Sequence, residues 1–402
     1  MTWLDLPPET GFEVHNLPFG IFSVEPSGIP RVGVAIGDQV LDVAAVADDL
    51  RLPLRDLFAG PALNPFLAAG PAVWREARER ITEWLTSPVH RAVVTPHLVP
   101  LRQARLHLPF AVADYVDFYA SRNHAENVGA IFRPGQPALP RNWLHMPLGY
   151  HGRAGSVVAS GTPVARPNGQ RRAPGADAPS FGPCLRLDFE AEVGFVVGVP
   201  SEQGRPVPVA DFERHVFGVC LVNDWSARDI QAFETVPLGP FLGKAFATSV
   251  SPWVVPLAAL GAARVAAPPR DLAPPPYLHD GPDPWGLDLS LEVRINGCLV
   301  SRPPFATMYW TPAQMLAHLT CGGAPLRTGD LFASGTVSGP TRDQLGCLLE
   351  LTRGGAEPIA LADGTERAFL EDGDEVVISA TAPGPDGAVI SFGGVRGRVT
   401  GR

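Results

Sequence analysis

Lysine is almost missing from this 402-residue chain, which holds 31 arginines and a single lysine, Lys244. On a protein surface the two residues are nearly exchangeable, so a lone lysine marks a place where a compact ammonium does what a planar guanidinium cannot. Charge of either sign is also scarce, at 18% of residues against a usual ~25%. Acids outnumber bases and leave a formal net charge of −9, which speaks against a phosphate-binding surface and against a nucleic-acid partner. No apolar run reaches the ~18 residues that a membrane-spanning helix needs, so no membrane partner is expected. The opening stretch MTWLDLPPETGFEVHNLPFG carries acids where a signal peptide needs a basic region and an apolar core. The five cysteines are scattered and show no CxxC spacing, which argues against a disulfide framework and for buried free thiols. The expected location is cytoplasmic.

Turn-forming and apolar residues are abundant instead. There are 42 glycines and 44 prolines, 45% of residues are hydrophobic, and the mean hydropathy is +0.08. Long helical bundles tolerate that density of proline badly, so a predominantly β, α+β architecture is expected. At roughly one domain per ~100–200 residues, the length predicts two units, here divided at 1–110 and 111–402. In the first, residues 19–24 and 31–43 read as strands, with turn signals at Pro26-Ser27-Gly28 and Gly37-Asp38-Gln39. One helix is clear: it starts at Pro71 and places Trp74, Ala77, Ile81, Trp84 and Leu85 on one face. Beyond residue 110, LDFEAEVGFVVG and HVFGVCLVNDW read as strands and residues 313–320 as a short helix. The Pro-rich stretch 266–285 reads as an exposed insertion, and Asp363-Gly364 and Asp372-Gly373 as hairpin turns.

Carboxylates in apolar settings are the first chemical signal. Strand alternation in LDFEAEVGF puts Asp188, Glu190 and Glu192 on one face, where like charges repel unless water or a cation screens them. Taken alone, the pattern also suits a solvent-facing strand. Asp224 ends the apolar run VFGVCLVND, and Asp117 lies among aromatics in DYVDFY. Asp117, Glu190, Glu192 and Asp224, if they converge, make an all-oxygen site for Ca2+ or Mg2+. No His/Cys cluster has the ligand spacing that zinc needs.

His124 follows Asp117 by seven residues, close to two turns if that stretch is one helix. A histidine beside a metal carboxylate is a natural general base. His107, His145, His151, His215 and His318 are expected to be ordinary core residues. In NDWSARDIQ, Asp224, Arg228 and Gln231 stand at i, i+4 and i+7, one helical face, with Lys244 close behind. That face offers a cation and an amide to an anionic substrate. GPFLGKA is one residue short of a phosphate loop and has Ala245 where Ser or Thr binds Mg2+. No G-x-S-x-G elbow is present, so NTPase and acyl-enzyme chemistry are set aside.

The segments DYVDFYASRNHAENVGAIFR, NWLHMPLGYHGRAGSVVASGTPV, EAEVGFVVG, NDWSARDIQ, VPLGPFLGKAFATSVSPWVV and FASGTVSG with LGCLLEL closely resemble, in the same order, the fumarylacetoacetate hydrolase family. The resemblance runs along the whole chain, weakly before about residue 100 and densely after it. It implies a small N-terminal SH3-like β-barrel followed by a large C-terminal mixed β-roll, assembled as a homodimer. The activity it implies is hydrolysis of the C–C bond of the β-diketone 4-fumarylacetoacetate to fumarate and acetoacetate, the last step of tyrosine and phenylalanine catabolism. On the family pattern Ca2+ falls on Asp117, Glu190, Glu192 and Asp224, and Mg2+ on Asp224, Lys244 and Thr248. The base falls on His124, oriented by Glu350, and the substrate contacts on Tyr119, Arg133, Tyr150, Gln231 and Thr336. Arg228, Gln231 and Lys244 are then candidate donors to a developing oxyanion, and no organic cofactor is implied. Thr235 stands where the family has a substrate tyrosine, which leaves room for acylpyruvate hydrolysis or keto-acid decarboxylation on the same fold. A non-catalytic dimer merely stapled by Ca2+ is a third reading, but it gives His124, Glu350 and the lone lysine nothing to do.

Overall fold

A strand that is apolar on both faces needs cover on both, and two such strands organise this chain. In the computed structural model, which describes residues 2–7, 10–25, 28–281 and 284–401, the fold is a strand-rich mixture of sheets and short helices. The strands used below are β1 (Phe19–Val24), β2 (Arg31–Ile36), β3 (Gln39–Asp42), β4 (Leu98–Pro100), β5 (Ala104–His107), β6 (Tyr115–Phe118) and β7 (Gly149–His151). They continue as β8 (Ala191–Val197), β9 (Val216–Asp224), β10 (Thr248–Val250), β11 (Trp253–Pro256), β12 (Ser290–Ile295), β13 (Leu331–Ala333), β14 (Glu375–Pro383) and β15 (Val389–Thr400). The helices are α1 (Pro71–Thr86), α2 (Arg122–Phe132), α3 (Arg228–Glu234), α4 (Pro312–Thr320) and α5 (Leu348–Leu351).

The largest sheet has 13 strands, ten of them in the order β4-β3-β2-β1-β11-β9-β8-β13-β6-β7 and three pairing off that path. β1 joins the N-terminal strands to the middle of the chain, with Phe19 opposite Val254 and Gly20 opposite Trp253. The remainder of that edge of β1 pairs with β5. The barrel expected for the N-terminal residues is therefore not seen as a closed ring: among the described residues β4 pairs only with β3 and β5 only with β1. A second sheet of five strands contains β12, β14 and β15.

β8 and β9 lie in the middle of the large sheet and feed two cores. Val193, Phe195, Val219 and Leu221 face a core shared with Leu291 and Ile378 of the second sheet. Val196, Phe217 and Val222 face the other way, into a core built with Phe19, Phe66 and Ile81. Phe217 is central there, with its ring edge-on to Phe19, Phe66 and Trp74 at centroid distances of 5.7, 5.4 and 5.2 Å. Helix α1 supplies part of the cover, with Pro71 at its first position and Ala77, Ile81, Trp84 and Leu85 buried.

Several sequence expectations need correction. Asp188, Glu190 and Glu192 are all buried, so the solvent-facing strand is excluded. Asp117 belongs to β6, and α2 begins only after Ser121 caps it, so Asp117 and His124 share no helix. Asp224 is the last residue of β9 and α3 begins at Arg228, so the helical face holds Arg228 and Gln231 alone. Of the five histidines expected in the core, His107, His145, His151, His215 and His318, only His215 is buried, because the rest fall in loops or near strand and helix ends. All five cysteines are free, but Cys321 is exposed and Cys298 only partly covered. The Pro-rich stretch is largely exposed, as expected, but it is anchored: Leu278 is buried and the Arg270 guanidinium lies 4.9 Å from the centre of the Trp310 ring. Pro26, Ser27, Pro282 and Asp283 lie outside the described residues. Asp363-Gly364 does join a hairpin, between Ile359–Ala360 and Glu366–Arg367. Asp372-Gly373 instead leads into β14, which pairs with β12 and β15. No helix among the described residues is long and apolar enough to cross a membrane.

If the two cores depend on one sheet, Phe217→Ala should destabilise the chain by about 3–5 kcal/mol, the cost typical of a buried phenylalanine. Urea unfolding followed by tryptophan fluorescence should still show one transition. Two separate transitions would show that the N-terminal elements do not lean on this sheet.

Candidate metal centre and catalytic dyad

Four acids meet at one end of the large sheet. Asp117 comes from β6, Glu192 from β8 and Asp224 from the end of β9, whose backbone N–H donates to the Glu190 carbonyl at 3.2 Å. One carboxylate oxygen from each of Asp117, Glu190, Glu192 and Asp224 lies within 4.8 Å of the others, and all four side chains are buried. Lys244 reaches into this group, with Nζ donating to Glu190 Oε2 and, at 2.8 Å, to Asp224 Oδ2. Thr248 Oγ1 donates to Asp224 Oδ1 at 2.6 Å, and the Tyr150 hydroxyl to Asp224 Oδ2 at 3.3 Å.

The electrostatics are uneven. Asp117 Oδ1 and both Glu192 oxygens have no hydrogen-bond partner. Burial, followed by repulsion from the neighbouring acids, pushes both carboxyls well above the ordinary range. Burial also opposes the charge of Glu190, but Lys244, Arg228 and His124 outweigh it and hold that carboxyl below its usual value. Burial likewise works against the Lys244 ammonium, and the surrounding acids overcome it and raise its pKa. Buried carboxylate oxygens without partners, an all-oxygen donor set and four acids against one ammonium suit a hard divalent cation. Lys244, having no lone pair while charged, sits in this set as a counter-charge rather than a ligand.

Beside the acids stands a histidine–glutamate pair. His124 is in the first turn of α2, where Ser121 Oγ accepts its backbone N–H at 3.2 Å. Its Nδ1 is 2.7 Å from Glu350 Oε2. A carboxylate only accepts, so Nδ1 carries a proton, and in the neutral ring Nε2 keeps its lone pair. Glu350 is fixed by three further donors: Asn127 Nδ2 at 2.9 Å, Ser338 Oγ at 2.8 Å and Cys347 Sγ at 3.1 Å. Burial opposes its charge, but His124 and these donors hold its carboxyl below the usual value. The Tyr119 ring stands edge-on to His124 at 5.3 Å.

Arg228 links the two groups. Its Nη1 is 2.7 Å from Glu190 Oε1 and 3.2 Å from Gln231 Oε1, while Nε donates to Asp188 Oδ2 at 2.9 Å. Its Nη2 is buried without a partner, as is Thr336 Oγ1. Thr336 follows Gly335, whose positive φ of 75° lets the chain pass so close to Phe118 that a Cβ would lie 2.1 Å from the Phe118 carbonyl oxygen. Arg133, the residue after α2, is half-buried and donates to the Ala138 carbonyl at 2.7 Å. Thr235 turns its hydroxyl back onto the Gln231 carbonyl at 2.6 Å.

Asp188 was legible as an acid of this stretch, but the expected strand breaks at residues 189–190, leaving Asp188 on a separate short strand and Glu190 in the break, and its task was not legible. It accepts the backbone N–H groups of Leu348 and Leu349 at 2.7 and 2.9 Å, and so ties Arg228 to the helix that carries Glu350. Asn127, three residues after His124 on α2, could have been found from that spacing. Ser338 and Cys347 carried no sequence signal.

An acid cluster able to take a divalent cation beside a histidine–glutamate pair suits a hydrolase, and the comparisons narrow it. The chain belongs to the fumarylacetoacetase family: residues 114–400 match the family model described as Fumarylacetoacetate (FAA) hydrolase C-terminal, and residues 15–109 the one described as Fumarylacetoacetase N-terminal. It is 45% identical to the fumarylacetoacetases of Bos taurus and Homo sapiens, over 99% of this chain and 98% of each of theirs. It is 46% identical to that of Caenorhabditis elegans over the same shares. Among solved structures it is similar to a fumarylacetoacetate hydrolase from Exiguobacterium antarcticum, with TM-score 0.53, 18% identity, and 96% of this chain and 100% of that one covered. A putative HpcE protein from Mycobacterium smegmatis is similar with TM-score 0.55 and 19% identity over 95% and 99% of the two chains. At those identities the structures speak to the fold alone.

The raised carboxyls of Asp117 and Glu192 carry a sign that can be checked. An acid whose folded pKa lies above its unfolded value binds more protons when folded, so the metal-free protein loses stability as pH rises through that interval. A divalent cation removes the penalty. Its stabilising effect should therefore grow as pH rises above the ordinary carboxylate range, toward about 2.7 kcal/mol at a hundredfold excess over Kd. Thermal melts with chelator and with Ca2+ or Mg2+ from that range upward check it. A cation effect independent of pH would contradict the assignment.

Proposed function

We propose that this protein hydrolyses the C–C bond of 4-fumarylacetoacetate to give fumarate and acetoacetate, in tyrosine and phenylalanine catabolism. The observation that carries the reading is the buried His124–Glu350 pair next to an acid cluster with open oxygens, on a chain that aligns end to end with proteins named fumarylacetoacetase. Asp117, Glu190, Glu192 and Asp224 would hold Ca2+, and Mg2+ would sit by Asp224 and Thr248 with Lys244 as counter-charge. A cation bound there supplies Lewis-acid polarisation of the carbonyl under attack and neutralises charge on the departing fragment.

The chain's own residues do the rest. His124, with Nδ1–H committed to Glu350, takes a proton from water at Nε2, a contribution of about 10²–10⁴-fold. The charged Glu350 carboxylate then stabilises the imidazolium. Arg228, Gln231 and Lys244 donate toward the developing oxyanion, each worth about 2.7–4 kcal/mol by analogy with other oxyanion holes. Tyr119, Arg133, Tyr150, Gln231 and Thr336 bind substrate, and the unpartnered Thr336 hydroxyl and Arg228 Nη2 are donors still free for it.

The active unit is a cytoplasmic homodimer in which residues 1–110 form a supporting SH3-like domain and 111–402 a catalytic β-roll. Five free cysteines suit a reducing compartment. A second reading, acylpyruvate hydrolysis or keto-acid decarboxylation, is favoured by one observation: the Thr235 hydroxyl is turned to the helix and offers the pocket no donor.

The test follows diketone absorbance with purified protein before chelation, after it, and after Ca2+ or Mg2+ is restored. Metal-dependent release of fumarate and acetoacetate is expected, with His124→Ala slowed about 10²–10⁴-fold and its melting profile retained. Faster turnover of a simple acylpyruvate than of fumarylacetoacetate would transfer the assignment to the second reading.

A further inference from the structure

Lys244 enters the acid cluster from a loop that has little holding it from outside. Residues 235–243 leave the C-terminal end of α3 and return to its start, where the Ala227 N–H donates to the Gly243 carbonyl at 2.8 Å. The crest of this loop is apolar and exposed, so it gains no core packing. Its return limb is instead held by one side chain. Glu234, the last residue of α3, accepts the backbone N–H groups of Phe241 and Gly243 on Oε1, each at 2.7 Å, and of Leu242 on Oε2 at 3.0 Å. Three consecutive donors meet one carboxylate, and the next residue is Lys244. Among the described residues no arginine, lysine or histidine lies in ion-pair range of Glu234, so these peptide groups are what its charge serves.

The same limb is in register with the rest of the site. Gly243 packs so closely on α3 that a Cβ there would lie 2.9 Å from the Cα, Cβ and N of Gln231. A shift of the limb therefore displaces Gln231 and Lys244 together. Charge-assisted bonds to backbone N–H groups are about twice as strong as neutral ones. A glutamine at 234 would have one acceptor oxygen for three donors and would turn an NH2 group toward them.

We infer that Glu234 is a positioning residue: its carboxylate clamps residues 241–243 and so sets the Lys244 ammonium between Glu190 and Asp224. This rests on the proposed reaction for its catalytic consequence, but the clamp itself does not. The experiment compares wild type with Glu234→Gln and Glu234→Asp in the metal-loaded protein. Glu234→Gln should lower kcat about ten- to a hundredfold, as small misplacements of catalytic groups do, with KM changed much less, and Glu234→Asp should recover part of the loss. Chymotrypsin should cut the Gln variant at Phe241 or Leu242 faster, while its melting temperature stays near that of wild type. Terbium, used as a luminescent Ca2+ surrogate, should bind the Gln variant at least as tightly, because withdrawing Lys244 removes a positive charge from the cluster.

Wild-type kcat in Glu234→Gln would overturn the inference, whether or not cleavage is faster. A fall in kcat accompanied by a lower melting temperature and weaker terbium binding would also overturn it, showing a general structural role. If wild type itself turns over no diketone, the proposed reaction fails, and the protease comparison still decides whether Glu234 clamps the loop.

Discussion

Negative charge confined in a protein interior is the constraint on which the rest of this structure depends. Taking an ion out of water costs several kcal/mol even after relaxation, and here four carboxylates share one small volume. The protein answers with local countermeasures. Lys244 bridges Glu190 and Asp224, Thr248 and Tyr150 donate to Asp224, and Arg228 takes the far oxygen of Glu190. Asp117 and Glu192 are left with oxygens that nothing in the chain satisfies. That imbalance suits a bound cation, and it gives a compact ammonium a reason to stand at 244 in a chain otherwise furnished with arginine.

The second consequence is mechanical. A continuous set of contacts runs from the acid cluster to the dyad: Lys244 to Glu190, Glu190 to Arg228, Arg228 to Asp188, and Asp188 to the backbone of α5. That helix carries Glu350, which orients His124. The cluster and His124 are therefore held at a defined spacing by charged groups rather than by apolar packing alone. Polar contacts of this kind fix orientation well, because an error of position leaves a buried charge unpaired.

Much of this was legible in the sequence, and the reasons are local. Apolar runs interrupted by acids pointed to Asp117 and Asp224, alternation pointed to Glu190 and Glu192, and residue scarcity pointed to Lys244. The helix at Pro71 was plain from periodicity, and the short helix read at residues 313–320 is found at Pro312–Thr320. Connectivity between distant segments was not legible. Period arguments placed Asp117 with His124 and Asp224 with Arg228 on shared helices, whereas each acid ends or lies in a strand and the helix begins afterwards. Strand pairing, which has no signature in a short window, brings them together. Asp188 and Glu234 were hidden for a related reason, since both act on backbone N–H groups and the residue types that supply those carry no signal.

The most direct test of this picture is the metal content of the purified chain. Isothermal calorimetry with Ca2+ and with Mg2+ at neutral pH, on protein first stripped with chelator, should show a divalent ion bound at one site per chain. Asp117→Asn combined with Glu192→Gln should abolish that binding and also remove the orphaned charge, so the doubly substituted chain should be no less stable than metal-free wild type. A chain that binds no divalent ion at neutral pH, or that binds it equally well without those two carboxylates, would contradict the central claim.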